Sequence, residues 1–231
     1  MGIKRIYYPL DLLDTLTLSE EYYNYIKNVL RLRPYDKICL INNKYSGTYR
    51  ISQIVKSKVL LLREELRHLK GANYSLILYQ SILKREYMDN VVEKSAELGV
   101  TKFIPVYTER SIPSIKNNTI DRFKDLIIKG AIQAELEFIP EIEKPVDIYE
   151  IKTETTQNFL FYERHKKKSI PEINTKSISI FIGPEGGLAD KEVKFLEKNN
   201  FQVISPIDTI LKAETAAIVF IGFTKILMDL Q

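Results

Sequence analysis

Ser179-Ile180-Phe181-Ile182-Gly183-Pro184-Glu185-Gly186-Gly187-Leu188, with Asp190 and Glu192 just beyond, decides the fold class of this 231-residue chain. An apolar run suited to a buried strand enters a tight glycine loop. Acidic residues then open a helix, where they complement the free backbone N–H groups of its first turn. The same rhythm continues on both sides. Upstream, the pattern predicts a strand over 76–80, a helix over 88–98 stopped by Gly99, a strand over 102–107, a helix near 120–135 and a strand over 158–162. Downstream it predicts a helix over 190–198, a strand over 202–204 and a C-terminal helix from about Glu214. Alternating strands and helices make an α/β domain with a mainly parallel sheet. Ligands of such sheets bind beyond the carboxyl ends of the strands, here the loops after Ile182 and Ile204.

The first third reads differently. Strand-like runs at 37–41, 49–54 and 58–63 are separated by turn-forming residues over 42–47, which argues a small barrel or meander. Before them, Ser19 suits a helix start, and Tyr22, Tyr25, Ile26 and Val29 follow at helical spacing up to Pro34. The expected domains are therefore 1–72 and 73–231, joined through 68–73.

Hydrophobic residues at 45% and charged residues at 28% are the balance of an ordinary globular protein. One cysteine, Cys39, excludes an internal disulfide, and with only His68 and His165 beside it no metal site is expected. The apolar run after Lys4 and Arg5 is ended by Asp11, too soon for a signal peptide. The uncharged stretch 215–224 falls far short of the roughly 20 residues of a membrane span. A soluble, cytoplasmic protein is the expectation. The net charge of +4 is uneven, with 13 Lys/Arg against 7 Asp/Glu in residues 1–70 and 21 against 23 in the remainder. Such asymmetry points to a polyanionic partner for the first third, or simply to solubility.

The 183–187 loop presents backbone N–H groups to a ligand. No Gly-Lys-Ser/Thr follows it and the dinucleotide spacing is absent. Glu185, Asp190 and Glu192 would repel a phosphate, so an uncharged or positive ligand fits better; the plain alternative is a turn that needs glycine dihedrals. A second stretch, Ile210-Leu211-Lys212-Ala213-Glu214-Thr215-Ala216-Ala217, lies at a loop-to-helix junction, where Glu214 and Thr215 also suit simple capping. Both loops follow strands of one sheet, and two such loops on one edge make a cleft.

These two strings resemble the C-terminal motifs of the 16S ribosomal RNA uridine-N3 methyltransferases, the RsmE family of the SPOUT superfamily. Lys94-Ser95-Ala96-Glu97-Leu98-Gly99-Val100, Pro105 and Glu109-Arg110-Ser111 are similar to the family's middle motifs. Val29-Leu30-Arg31 before a β-meander resembles its N-terminal domain. The resemblance covers essentially the whole chain in order. It implies a PUA-like or OB-like N-terminal β-barrel, a SPOUT-type α/β domain with a deep trefoil knot, a homodimer, and S-adenosylmethionine as methyl donor. Carried over by position, the donor meets Tyr162, Glu163, Ile182, Gly183, Pro184, Glu185, Gly186, Gly187, Ile207, Leu211, Lys212 and Thr215. The donor is a sulfonium cation without phosphate, in keeping with the acidic loop. Several positions depart from the family pattern. Lys212 stands for the usual Arg and Ala213 for Thr; Ile132 and Leu136 replace a polar pair, and Tyr25 replaces a histidine.

The implied reaction removes the imide proton of uridine N3 and stabilises the resulting negative charge. Lys212 is the candidate for that stabilisation. Glu214 has two roles open to it, orienting Lys212 or receiving the proton. The target base must be unpaired or flipped. Arg5, Arg31, Arg33, Arg50, Lys84 and Arg85 are the candidate phosphate contacts on the ribosomal RNA. Two rivals stand beside this reading: a knotted enzyme acting on another RNA such as transfer RNA, and an RNA-binding assembly factor without catalysis.

Overall fold

The computed structural model describes residues 2–112, 115, 118–162 and 169–231. The chain divides into two compact units, Met1–Gly71 and Ala72–Gln231.

The first unit is built on a five-stranded sheet. Strands β1 (Lys4–Tyr7), β2 (Thr15–Ser19), β3 (Lys37–Ile41), β4 (Tyr45–Val55) and β5 (Lys58–His68) pair in the order β1-β3-β4-β5-β2. The β3–β4–β5 meander is the one expected, and its first turn is tighter than the sequence suggested. Asn42 Oδ1 accepts from the backbone N–H groups of Lys44 (2.9 Å) and Tyr45 (2.8 Å), so β4 already begins at Tyr45. Two register shifts between β4 and β5, at Thr48/Tyr49 and Ile51/Gln53, add twist and bend the sheet around its core. Ile38, Leu40, Tyr49, Ile51 and Leu61 fill that core with Ile26, and each is fully buried. Ile26 arrives from the expected helical segment, which is a short α-helix, α1 (Glu20–Asn24), running straight into a π-helical turn over Tyr25–Val29.

The second unit holds a seven-stranded sheet in which every pairing is parallel. β6 (Ser75–Ser81), β7 (Lys102–Tyr107), β8 (Glu141–Ile142), β10 (Gln157–Phe161), β11 (Ser177–Ile182) and β12 (Phe201–Ile204) run in the order β12-β10-β11-β6-β7-β8, and β9 (Val146–Asp147) pairs with β7. Alternate residues feed two separate cores. Leu76, Leu78, Ile178, Ile180 and Ile182 pack with α2 (Arg85–Glu97), α3 (Thr119–Gln133) and α5 (Ala213–Asp229). Ile77, Tyr79 and Phe181 pack on the other side with Leu196 of α4 (Asp190–Lys198). Burial on both faces is why these strands read as continuous apolar runs rather than as alternation. Gly99 closes α2 in the expected way: its φ of +82° is left-handed, and Tyr74 Oη donates to its carbonyl at 2.8 Å.

The chain leaves edge strand β12 and returns across the ends of β10 and β11 to α5, which packs on α2 and β11. That return brings residues 205–212 back to the loop after β11. No helix among the described residues is long and apolar enough to cross a membrane.

Candidate active site

A cleft of about 400 Å³ opens where the loops after β11 and before α5 face each other, beyond the carboxyl ends of β10 and β11. Of the residues expected at a donor site, Tyr162, Ile182, Gly183, Pro184, Glu185, Gly187, Leu211 and Lys212 line it, and so does Glu214, expected with Lys212 as a catalytic residue. Ile207 lines a smaller cavity of about 30 Å³ that shares Phe161, Tyr162, Leu211 and Ala216 with the cleft. Gly186 and Thr215 lie outside both linings: Gly186 packs against Arg110, and Thr215 is exposed on α5. Glu163 lies outside the described residues.

The glycine loop is a closed turn. Gly187 N–H donates to the Pro184 carbonyl at 2.9 Å with a φ of +71°, a backbone conformation that needs glycine. A Cβ on Gly183 would stand 3.3 Å from Leu188 Cγ, so a side chain there would crowd the wall of the cleft. Glu185 is tied to the start of α2, since its Oε1 accepts from the Lys84 N–H at 3.2 Å.

A fastener behind the loop joins it to the Glu109-Arg110-Ser111 segment after β7. Glu192 is fully buried and uses both oxygens: Oε1 accepts from Glu109 N–H and Oε2 from Ala189 N–H, each at 2.8 Å. Ala189 has no side-chain acceptor to offer α4, so only the Glu192 half of a capping box forms. Arg110 Nη1 donates to the Gly186 carbonyl at 3.1 Å, and Lys191 pairs with Glu109 at 2.6 Å. The Lys191 ammonium holds the Glu109 carboxyl below its usual range, and Glu109 raises Lys191 in return. The sequence counted Glu192 as an anion guarding the loop; its oxygens instead satisfy backbone donors.

On the opposite wall, Lys212 occupies the N-cap position of α5 with extended backbone and no side-chain cap. Its Nζ lies 5.9 Å from the centre of the Tyr87 ring. Glu214, two residues on, has a buried Oε2 without a hydrogen-bond partner. An orphaned carboxylate oxygen costs stability unless a ligand or water satisfies it. Among the described residues, the cleft thus combines backbone loops, apolar walls from Ile182, Leu188 and Leu211, one cation and two carboxylates.

Tyr87, Phe161 and Leu188 were not among the residues expected to touch the donor, yet all three line the cleft. Phe161 carries a stacked partner, Phe220, at 4.1 Å.

The candidate phosphate contacts fall in both units. Arg31, with a left-handed φ of +55°, and Arg33 are exposed on the turn before β3. That turn is fastened to β4 through Tyr35 N–H to Ile51 O (2.7 Å) and Ile51 N–H to Asp36 O (2.9 Å). It lies beside Arg50, which is drawn to Glu64 at 3.4 Å together with Lys37 at 2.6 Å. Arg5 is on β1, half-buried. Lys84 and Arg85 are exposed at the start of α2, where Lys84 also meets Glu185 of the 183–187 loop through its backbone.

Comparison with known proteins agrees with this geometry. Residues 70–225 match the RNA methyltransferase domain family, and residues 18–62 match the RNA methyltransferase PUA domain. The ribosomal RNA small subunit methyltransferase E of Rickettsia conorii is 30% identical, with 90% of this chain and 88% of that protein covered. The chain belongs to this methyltransferase E family. The Neisseria gonorrhoeae ribosomal RNA small subunit methyltransferase E, solved bound to S-adenosyl methionine, superposes with a TM-score of 0.84 at 25% identity over 98% of both chains. A Legionella pneumophila methyltransferase solved with bound SAM gives 0.86 at 26% identity, again over 98% of both. The fold is therefore that of a SPOUT-type α/β methyltransferase domain behind a PUA-type domain, as the resemblance implied.

Proposed function

We propose that this protein is an S-adenosylmethionine-dependent methyltransferase that methylates N3 of a uridine in 16S ribosomal RNA of the small subunit. The observation that carries the reading is the cleft itself. Two strand-end loops, one of glycines and one leading into α5, enclose a space lined by both Lys212 and Glu214.

The residues present fit the donor. Bound there, it supplies an electrophilic methyl group on a sulfonium sulfur. The loop over 183–187 brings backbone rather than side chains against it, and Glu185 and Glu214 suit its positive centre. Ile182, Leu188 and Leu211 exclude water. In the transfer, the N3–CH₃ bond forms as the CH₃–S bond breaks, and the sulfur keeps the electron pair. Lys212 places its ammonium where charge develops on a uracil oxygen. Glu214 takes the N3 proton, directly or through one water, from its place in the same cleft lining as Lys212.

The positive first unit supplies affinity for RNA phosphates in the same reading. The trefoil knot belongs to it too, and the return of the chain from β12 to α5 supports it. A homodimer is supported by α5 and the Leu230 that caps it, where Val219 (42% exposed), Ile226 (60%) and Leu230 (79%) carry apolar surface into solvent. The compartment is the cytoplasm, where the ribosomal RNA is made. The experiment is methyl transfer from labelled donor to small subunits taken from cells lacking this protein, followed by mass-spectrometric mapping. One 3-methyluridine in 16S ribosomal RNA is expected. Methyl groups found only on transfer RNA, or donor binding without transfer to any RNA, would overturn the reading.

A further inference from the structure

Tyr87 stands on the first turn of α2, half-buried against the core of the second unit, and lines the same cleft as Lys212 and Glu214. Among the described residues, three tyrosine or phenylalanine side chains line that cleft. Phe161 is stacked on Phe220 with the rings 8° from parallel, and Tyr162 also walls the smaller cavity next to Ile207. Tyr87 is the one engaged by the cation. Lys212 Nζ stands 5.9 Å from its ring centre, at the outer limit of about 6 Å for a cation–π contact. The contact is loose, with the ammonium over the ring.

We propose that Tyr87 is the stacking platform for the target pyrimidine. The proposal rests on the function given above and assigns the subsite that function leaves open. A base taken out of RNA loses its stacking neighbours, and proteins that hold such bases replace them with an aromatic face. A uracil lying on the Tyr87 ring has its oxygens within reach of Lys212, and it lies in the same cleft as Glu214. The ring is sequence-tolerant, since every base offers a π-face. It therefore sets position, while Lys212 and Glu214 read the imide edge.

Tyr87→Leu removes the ring and keeps most of the volume. The loss of one base–aromatic stack predicts a fall of roughly tenfold in kcat/KM for small subunits, with donor affinity by calorimetry within about twofold. Tyr87→Phe, which keeps the ring, should recover most of that loss. A ring that serves only to hold the Lys212 ammonium is separated by the Lys212→Met background. There a stacking ring still costs its full factor when lost, and a holding ring costs nothing further. Tyr87→Met serves as the second variant should Leu disturb folding. A Leu or Met variant with wild-type kcat/KM, an equal loss of donor affinity, or no further cost in the Lys212→Met background would each overturn the proposal. Failure of the wild-type protein to methylate small subunits would instead overturn the function on which it rests.

Discussion

Gly187 combines a left-handed φ of +71° with a place in the lining of the cleft. Valine at that position is β-branched, and the left-handed region costs an L-residue roughly 1–2 kcal/mol before any contact with the ligand is counted. Gly187→Val should therefore weaken S-adenosylmethionine binding by at least about tenfold, measured by calorimetry, while circular dichroism stays that of the folded protein. Unchanged affinity would remove the loop from the site. Lys212 is tested by a different pair. Lys212→Met should slow single-turnover methylation by about 10²–10³-fold with donor affinity little changed, because methionine keeps the stem and loses the charge. Lys212→Arg should retain transfer, since the guanidinium fork reaches two acceptors from the same backbone. Were Lys212 only a stem lying over apolar neighbours, methionine would be nearly silent. Gly187 and Lys212 could both be found in the sequence, because each sits in a short motif with its own turn chemistry. Tyr87 could not. The helical pattern in the sequence starts at Met88, three residues after α2 begins and just past Tyr87, and its partner Lys212 comes from the far end of the chain.

At the scale of elements, the fastener behind the 183–187 loop rests on Glu192. One buried carboxylate holds the N-terminus of α4 and the segment after β7 together, and Arg110 adds a bond to the Gly186 carbonyl. Glu192→Gln keeps the shape but turns an NH₂ group toward one of two backbone N–H donors. An unsatisfied buried donor costs about 1–3 kcal/mol, so denaturant unfolding should show a loss of that size. Donor affinity should fall with it, because the loop is held from behind. Arg110→Met should lower donor affinity with little loss of stability. Added to Glu192→Gln it should cost less than the two alone, since both act on one loop. Full additivity would mean that the fastener is two unrelated contacts. The sequence missed the pairing of these segments, and the same limit explains the elements it missed. β1 and β2 hold 4 and 5 residues and pair only with strands distant in sequence, and β8 and β9 hold 2 each. α2 begins at Arg85 rather than Met88 because Lys84 offers no side-chain cap to announce it. The turn to π geometry over Tyr25–Val29 has no signature in residue type at all.

For the whole molecule, the alternation of apolar strands with helices made the α/β class readable. Strand order was not, because β11 lies between β6 and β10 through pairings that no local pattern encodes. Charge distribution, by contrast, is a property of the entire chain that sequence states directly. Residues 1–70 carry 13 Lys/Arg against 7 Asp/Glu, and the structure sorts which of these cations are available to a polyanion. Arg50 is committed to Glu64 alongside Lys37, which lowers its worth as a phosphate contact. Arg31 and Arg33 stand exposed on a turn whose backbone is fastened to β4, so their side chains project from a fixed base. Reversing both, as Arg31→Glu with Arg33→Glu, should weaken binding to ribosomal RNA. It should also flatten the dependence of log K on log salt by roughly 0.7 for each single-stranded phosphate contact removed, about 1.4 in all. Donor affinity should not move, because neither residue lines the cleft. If the positive excess serves solubility alone, the double reversal leaves the salt slope intact. A salt titration of RNA binding beside donor calorimetry on the same variant separates the two accounts: an unchanged slope would return the asymmetry to solubility, and a lost donor affinity would mean the substitutions had disturbed the fold.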